Sequence, residues 1–394
     1  MNEIIINVSG ETKTIALVKN GILVEKYDAS NSKKRLEGNI YLGKVQNVLT
    51  GMQAAFINIG NNKNTFIHLK DILPKKDLLK EESEDLKKIN IKDYIKPGDP
   101  ILVEVKRDIT MKKGARVSTH INMAGRLCVL MPNTPFITIS QKIENKKERD
   151  RLKDIAEKIL PEGVGAIVRT SAENKPQKEI EEDLKNLLKK WEKIKKEEQD
   201  TTNIPRLVYK TGGIEKKIFV DLVDNELSKV YVNDESTKNS VEETLEELKK
   251  IDSIKVEFKP GVDLLEMYDL HKQLEKIEDR KVWLKCGGFI TIDKTEALTA
   301  IDVNSGKYIG KNNLEDTILT VNKEATKEIA KQLRLRDVGG IIIVDYIDMN
   351  SEKDRKEILD LLAKELKPDR SKTQVIGFTK LNLVEITRKH MCSN

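Results

Sequence analysis

Cysteine, aromatic residues and long apolar runs are all scarce in this 394-residue sequence, and each scarcity closes off a class of protein. The three cysteines, Cys128, Cys286 and Cys392, lie far apart, which argues against a disulfide framework and fits a reducing compartment. No run of about 18 apolar residues exists, and the short apolar stretch near the N-terminus has no basic leader. A cytoplasmic protein is expected, neither secreted nor membrane-spanning. There is no GxxxxGK[ST], no GxGxxG following a strand and no CxxC, so nucleotide cofactors and structural zinc have no signal. The four histidines, His68, His120, His271 and His390, are scattered and give no local support for a Ser-His-Asp or Cys-His arrangement. Aromatics make up only 4% of the chain, so any that cluster stand out.

What the sequence has in quantity is charge. Charged residues are 35% of the total, yet 71 basic and 65 acidic residues nearly cancel and leave a net charge of +6. That balance permits nucleic acid as a partner without demanding it. The length exceeds what one hydrophobic core serves, so roughly two to four subdomains are expected.

Residues 3–27 alternate apolar and polar around Gly10-Glu11 and Asn20-Gly21, the pattern of a three-stranded meander. Between residues 39 and 131 come several strand-like segments, IYLGKVQNVL, QAAFINIG, NTFIHL, PILVEVKRD, RVSTHINMAG and LCVLM, separated by Gly, Asn and Pro turns. So many short strands predict a small barrel. The highly charged residues 75–96 read as a surface insertion. Helices are expected over 143–160 and 176–199, flanking the strand GAIVRTSA in an αβα unit; the second carries an apolar stripe of Ile180, Leu184, Leu187, Leu188 and Trp191. Over 205–260, strands KIFVDLV, KVYV and IKVEFK alternate with a charged helix at 240–250 and are expected to complete the sheet begun by the N-terminal strands. The last third reads GGFITID, ALTAIDVNSG, a helix over 314–336 stopped by Gly339-Gly340, IIIVDYIDM, a helix over 351–367, then QVIGFT and LNLVEIT. Strand, helix, strand from 297 to 349 predicts a crossover with two parallel strands.

That crossover carries the chemistry. Asp302 and Asn304, two apart on one strand, share a face near its C-terminal end. Asp345 follows four β-branched residues, read as a fully buried parallel strand, so it comes to the same sheet edge as Asp302, where open α/β sheets place ligands. Two acids on neighbouring apolar strands repel, and a divalent cation relieves them; oxygen ligands with waters suit Mg²⁺ bound beside a phosphate. The competing reading pairs the acids with basic residues such as Arg334 or Arg336. Asp348, opposite Asp345 by strand alternation, and the more distant Asp293 are expected to be structural.

In the barrel, Phe56 and Phe66 occupy sequential strands, either as core residues or as a stacking surface for splayed bases. Lys106, Arg107, Lys112, Lys113 and Arg116 follow, as phosphate contacts or as a solvated turn. Arg169 and Thr170, ending the strand in GAIVRT, offer a guanidinium and a hydroxyl to a terminal phosphate, or simply a surface ion pair.

Together AAFINIG, TFIHL, GAIVRT, EALTAIDVNSG and NKEATKEIAKQLRLRDVGGIIIVDYIDM resemble the catalytic region of the ribonuclease E/G family over nearly the whole chain. The resemblance implies an α/β multi-subdomain protein. A ribonuclease-H-like subdomain (1–36 and 215–278) is split by an OB-fold RNA-binding barrel (37–125) and an αβα 5′-sensor (126–214), and a DNase-I-like α/β catalytic subdomain (279–394) follows. It implies a magnesium-dependent endoribonuclease of RNA processing and decay, cleaving single-stranded A/U-rich RNA to 5′-phosphate and 3′-hydroxyl ends and preferring 5′-monophosphorylated substrates. Asp302 and Asp345 match the family's magnesium ligands, Asn304 its supporting residue, Phe56, Phe66 and Lys113 its RNA-holding residues, and Arg169 with Thr170 its 5′-phosphate pocket. The expected partner is single-stranded RNA, with no membrane. Family members usually continue into a zinc-binding CxxC link and a dimerisation domain; this chain stops at HMCSN, so it is expected to be monomeric or weakly associating unless the full-length protein continues into that link and forms a homodimer. The reading weighed against an enzyme is a non-catalytic RNA-binding or ribosome-associated protein on the same barrel.

Overall fold

The computed structural model describes residues 2–30, 36–74, 89–108, 114–222, 227–306 and 314–390. Lys112, Lys113, Cys392 and most of the expected surface insertion lie outside the described residues. The chain divides into two compact units, one of residues 32–224 and the other of residues 1–31 with 225–394.

In the first unit, strands Ile40–Leu49, Ala54–Asn58, Thr65–His68, Arg116–Ser118 and Pro100–Arg107 are neighbours in that order. The last pairs back on the first, Ile40 opposite Glu104 and Lys44 opposite Pro100, so the sheet closes into a five-stranded barrel. Strand alternation turns Val45, Ala55, Ile57, Ile67, Val103, Val105 and Val117 inward, where all are buried. The segment LCVLM, expected among the barrel strands, is not one of them. The strand that adds to the barrel sheet is Arg206–Tyr209, paired antiparallel with the start of Ile40–Leu49, while Cys128–Met131 pairs antiparallel with Gly165–Val168 in a separate four-stranded sheet. Helices Lys146–Ile159 and Gln177–Gln199 bury Leu152, Ile155, Ile180, Leu184 and Leu187 against that sheet. The Asp183 carboxylate on the longer helix accepts from the backbone N–H groups of Leu127 and Cys128, both at 2.9 Å, and so fixes where the sheet starts.

One element changes type. Of KIFVDLV, read as a strand, the residues KIFVDL lie in the helix Gly213–Leu222. An apolar run this short satisfies either period, and burial of Ile218, Phe219 and Leu222 along one helical side decides for the helix.

The second unit opens with the expected meander, Asn2–Ser9, Thr12–Lys19 and Ile22–Asp28. It is completed, also as expected, by Leu227–Val232, parallel to the first strand from Asn2–Leu227 to Ile6–Val232, and by Lys255–Phe258 beyond it. A second, six-stranded sheet runs in the order Lys281–Trp283, Phe289–Lys294, Leu298–Asn304, Gly340–Asp345, Leu383–Arg388, Thr373–Phe378. Only Leu298–Asn304 and Gly340–Asp345 are parallel, joined by the helix Leu314–Leu335 as the crossover requires. That helix and Glu352–Leu366 cover one face, burying Ile290, Ile301, Val303, Ile342, Val344, Val384 and Ile386.

The other face carries no helix of this core, which revises the expectation of a fully buried strand at IIIVD. Ile342 and Val344 are buried, but Ile341 is 51% exposed and Ile343 half-buried. With helices on one side only, alternate residues of the strand must face outward. The helix stop also differs from the double glycine. Asp337 takes the left-handed conformation (φ 44°), the Val338 N–H bonds the Leu333 carbonyl at 3.0 Å and the Asp337 N–H bonds that of Arg334 at 3.3 Å, a Schellman closure.

A buried charge cluster then locks the sheet. Arg388 donates to Asp369 at 2.7 Å, to Asp337 at 2.8 Å and to the Val338 carbonyl at 2.8 Å, tying together the last strand, the helix stop and the turn before Thr373–Phe378. The Arg388 and Asp369 side chains are each 2% exposed. Asp369→Ala takes one of two carboxylates from a buried guanidinium that keeps Asp337, so it is expected to cost about 1.5–3 kcal/mol of unfolding free energy, read by urea denaturation.

Candidate active site

The parallel register places Asp302 directly opposite Asp345. Both belong to the outward set of side chains, since their neighbours Ile301, Val303 and Val344 are buried beneath the helices. Adjacent strands lie about 4.8 Å apart, so two exposed carboxylates are held side by side by backbone hydrogen bonding alone. Asn304, one pleat along, donates from its amide to Asp302 Oδ2 at 2.7 Å and fixes how that carboxylate is turned.

The sharp turn ahead of the neighbouring strand is tightly built. Glu324, on the long helix, accepts from the Lys285 and Cys286 backbone N–H groups, the latter at 3.1 Å. Gly288 passes so close to the end of Leu298–Asn304 that a Cβ there would lie 2.8 Å from the Asn304 carbonyl oxygen; at Gly306 (φ +58°) a Cβ would meet the Gly287 oxygen at 2.5 Å. Glycine at both positions lets the turn close over the strand end that carries Asn304.

Electrostatically the nearest identified cation is Arg280, which is ion-paired to Asp293 but also interacts with Asp302. Among the described residues neither Asp302 nor Asp345 forms an ion pair. The two arginines considered as partners are engaged elsewhere: Arg334 donates to the Glu365 carbonyl at 3.0 Å, and Arg336 to Gln332 and the Asp279 carbonyl, both at 2.8 Å. Partial desolvation, the facing Asp302 carboxylate and Asp348 together push the Asp345 carboxyl above its ordinary range.

Asp348 therefore belongs near the pair, against the expectation from alternation. The strand ends at Asp345, and residues 346–350 leave the pleat, so alternation no longer governs where Asp348 goes. Asn322, fully buried on the long helix, holds that segment by donating to the Ile347 carbonyl at 2.8 Å and accepting from its N–H at 3.2 Å. Its sequence signal was an asparagine on the apolar face of an amphipathic helix, beside Val321 and Ala325. Asp293, as expected, is structural, bound to Arg280 at 2.5 Å.

The remaining candidates fall in the other unit. Phe56 and Phe66 are direct cross-strand partners, their rings edge to face with centroids 6.1 Å apart. Neither belongs to the barrel core; both are half-exposed. Lys106 pairs with Glu104 on its own strand, and Arg116 makes a two-point contact with Asp71 at 2.8 and 3.0 Å. Arg107 is exposed. Arg169 donates to Asp221 and, at 3.2 Å, to the Gly125 carbonyl, while the Thr170 hydroxyl lies 2.9 Å from that of Ser140. Arg169 is thus held in an ion pair rather than presented bare.

Can the acid pair hold a metal? No group of three or more His, Cys, Asp or Glu side chains among the described residues forms a ready cage. Two juxtaposed, solvent-facing carboxylates outside any ion pair fit an ion that keeps several waters and completes its shell with a phosphate, which is the preference of Mg²⁺.

The comparisons with known proteins follow the same lines. The model of the Ribonuclease E/G family matches residues 122–391. Ribonuclease G of Escherichia coli (strain K12) is 37% identical over 392 residues, covering 98% of this chain and 79% of that protein. Ribonuclease G of Haemophilus influenzae is 36% identical over 389 residues, and Ribonuclease E of Synechocystis sp. 36% over 362, the latter covering 91% of this chain and 52% of that protein. The chain belongs to the ribonuclease E/G family. No helix among the described residues is long and apolar enough to cross a membrane.

The raised Asp345 carboxyl sets the sign of a stability effect. Folding makes this group harder to ionise, so the folded chain is penalised above the folded pKa and relieved as pH falls through it toward the ordinary aspartate range. Asp345→Asn is expected to raise the melting temperature slightly at neutral pH, with the difference from the parent vanishing in acid. A neutral-pH melting temperature lowered by the substitution would contradict this.

Proposed function

We propose that the chain hydrolyses single-stranded, A/U-rich RNA at the Asp302–Asp345 pair, with Mg²⁺ as its cofactor. Membership of the ribonuclease E/G family makes it an endoribonuclease; the finer reading rests on two in-register carboxylates that form no ion pair among the described residues. Asp302 and Asp345 would hold the ion, which when bound polarises a phosphoryl oxygen and lowers the pKa of water. Asn304 is a positioning residue, holding one Asp302 oxygen by its amide and leaving the other turned to the ligand. Asp348 adds to the negative field that draws a cation to the pair. Attack by water on the phosphorus with cleavage of the P–O3′ bond, the 3′-oxygen leaving with a proton, would give 5′-phosphate and 3′-hydroxyl ends.

The strand order of the closed barrel supports an OB-type RNA-binding domain, in which half-exposed Phe56 and Phe66 stack on bases and Lys106, Lys112 and Lys113 meet phosphates. Arg169 and Thr170 form the 5′-monophosphate pocket; a terminal phosphate there displaces Asp221 from the guanidinium or shares it. The protein acts in RNA processing and decay in the cytoplasm.

Asp302→Asn and Asp345→Asn are each expected to lower cleavage of a fluorescent A/U-rich oligonucleotide by ~10²-fold or more while RNA binding survives. Mg²⁺ should raise the melting temperature of the parent but not of either variant. Unchanged cleavage in either variant, or full activity in EDTA, would remove the acid pair from the chemistry. Phe66→Ala should weaken RNA binding by about 1–3 kcal/mol. Arg169→Gln should narrow the preference for 5′-phosphorylated over 5′-hydroxyl RNA, measured as a ratio of kcat/KM values.

A further inference from the structure

The outward face of the catalytic sheet carries a second feature beside the acids. Cross-strand register lines up Lys281, Thr291, Asp302 and Asp345 in one row and Trp283, Phe289 and Asn304 in the next. Phe289 and Trp283 are thus separated from Asn304 by one and two strand spacings, within about 10 Å of it. Their rings meet edge to face with centroids 5.4 Å apart, and the Lys281 ammonium sits 4.0 Å from the Trp283 ring centre and 3.6 Å from that of Phe289.

Such a cluster is unusual in this chain. It has two tryptophans and seven phenylalanines in 394 residues, and here one of each stands on an open sheet face beside the acid pair. Trp283 remains 61% exposed although Lys281 covers part of it. An exposed indole is a poor choice for stability alone, because its apolar surface stays in water. It suits a planar π-system that arrives later.

The charge around it is complementary to a polyanion. Trp283 and Lys281 border a cavity of about 1070 Å³ whose walls also carry Lys276, Lys285, Lys323, Lys327 and Lys331 against the carboxylates of Asp279, Glu324 and Glu328. Lys276, Lys285 and Lys327 form no ion pair among the described residues. Trp283 stands on the edge strand, between the acids on the open face and this basic wall, much of which the crossover helix presents on the sheet's other side, and the ammonium fixed over the rings adds cation–π order to the platform.

We propose that Trp283, braced by Phe289 and Lys281, is a stacking platform for a nucleobase of single-stranded RNA beside the Asp302–Asp345 pair. The proposal rests on the nuclease reading for its register but not for its test. In a Trp191→Phe background Trp283 is the only indole, and Asp345→Asn in the same chain stops turnover. Titration with a 5′-phosphorylated A/U-rich decamer should then quench its emission, and a series of decamers with an abasic site moved along the strand should show one position at which quenching is lost. Trp283→Ala should weaken binding about tenfold and Trp283→Phe much less, with far-UV circular dichroism confirming the fold of both.

Affinity within twofold of the parent for Trp283→Ala, with no emission change on binding, overturns the platform whether or not the parent cleaves RNA. Quenching by the decamer together with a parent that leaves A/U-rich RNA intact removes the nuclease reading and keeps the platform as an RNA contact. A chain that binds no RNA at all removes both. Should Trp283→Ala instead dissociate a self-associated form in sedimentation and leave RNA affinity unchanged, the occupant is a second copy and the proposal falls.

Discussion

Two like-charged side chains held in register by the hydrogen bonds of a parallel strand pair are the constraint on which this molecule turns. Asp302 and Asp345 cannot separate without breaking the pairing of Leu298–Asn304 with Gly340–Asp345, and that pairing is anchored by a helix whose apolar side fills the core below. The mutual repulsion is therefore carried by the fold as a whole. Its visible sign is the Asp345 carboxyl, pushed upward by partial desolvation, Asp302 and Asp348. A site that resists ionisation when empty gains most from a divalent cation, because the ion cancels the unfavourable term and coordinates the groups that cause it.

The surrounding structure keeps that constraint from relaxing. Arg388, Asp369 and Asp337 form a buried charge cluster that joins the far strand to the stop of the crossover helix. Asn322 grips the segment that follows Asp345, and Glu324 grips the turn that precedes Phe289. All three devices start or end on the crossover helix or its stop, so one element sets the position of both acid-bearing strands and of the loops beside them. Helices of this core pack on one face, and the acids point to the other, where both are exposed.

The unit of residues 32–224 is built on a different principle. Its barrel closes through Ile40–Leu49 and Pro100–Arg107, and half-exposed aromatic side chains on Ala54–Asn58 and Thr65–His68 are its distinctive outward surface. The basic residues there are largely engaged: Lys106 with Glu104, Arg116 with Asp71, Arg169 with Asp221. Anions approaching these groups compete with carboxylates already in place, which favours a ligand of high charge density such as a terminal phosphate over a diffuse polyanion.

The sequence alone was enough to show the crossover, the acids on it, the barrel strands and the family, because each depends on local period and on motifs spelled out contiguously. The alternation in ALTAIDVNSG and the apolar run in IIIVD specify strands wherever they are placed, and the helix between them leaves a right-handed parallel pair as the natural solution. What needed the tertiary structure was everything set by partners distant in the chain. Whether Arg334 and Arg336 neutralise the acids depends on which carbonyls they reach; whether IIIVD is buried on both faces depends on how many helices cover it. KIFVDL became a helix because a run of that length fits two periods and only its packing surface chooses. Asp348 came to the acids because the pleat ended at Asp345, and Trp283, Phe289 and Lys281 became one cluster because strand register, which no single segment encodes, set them side by side.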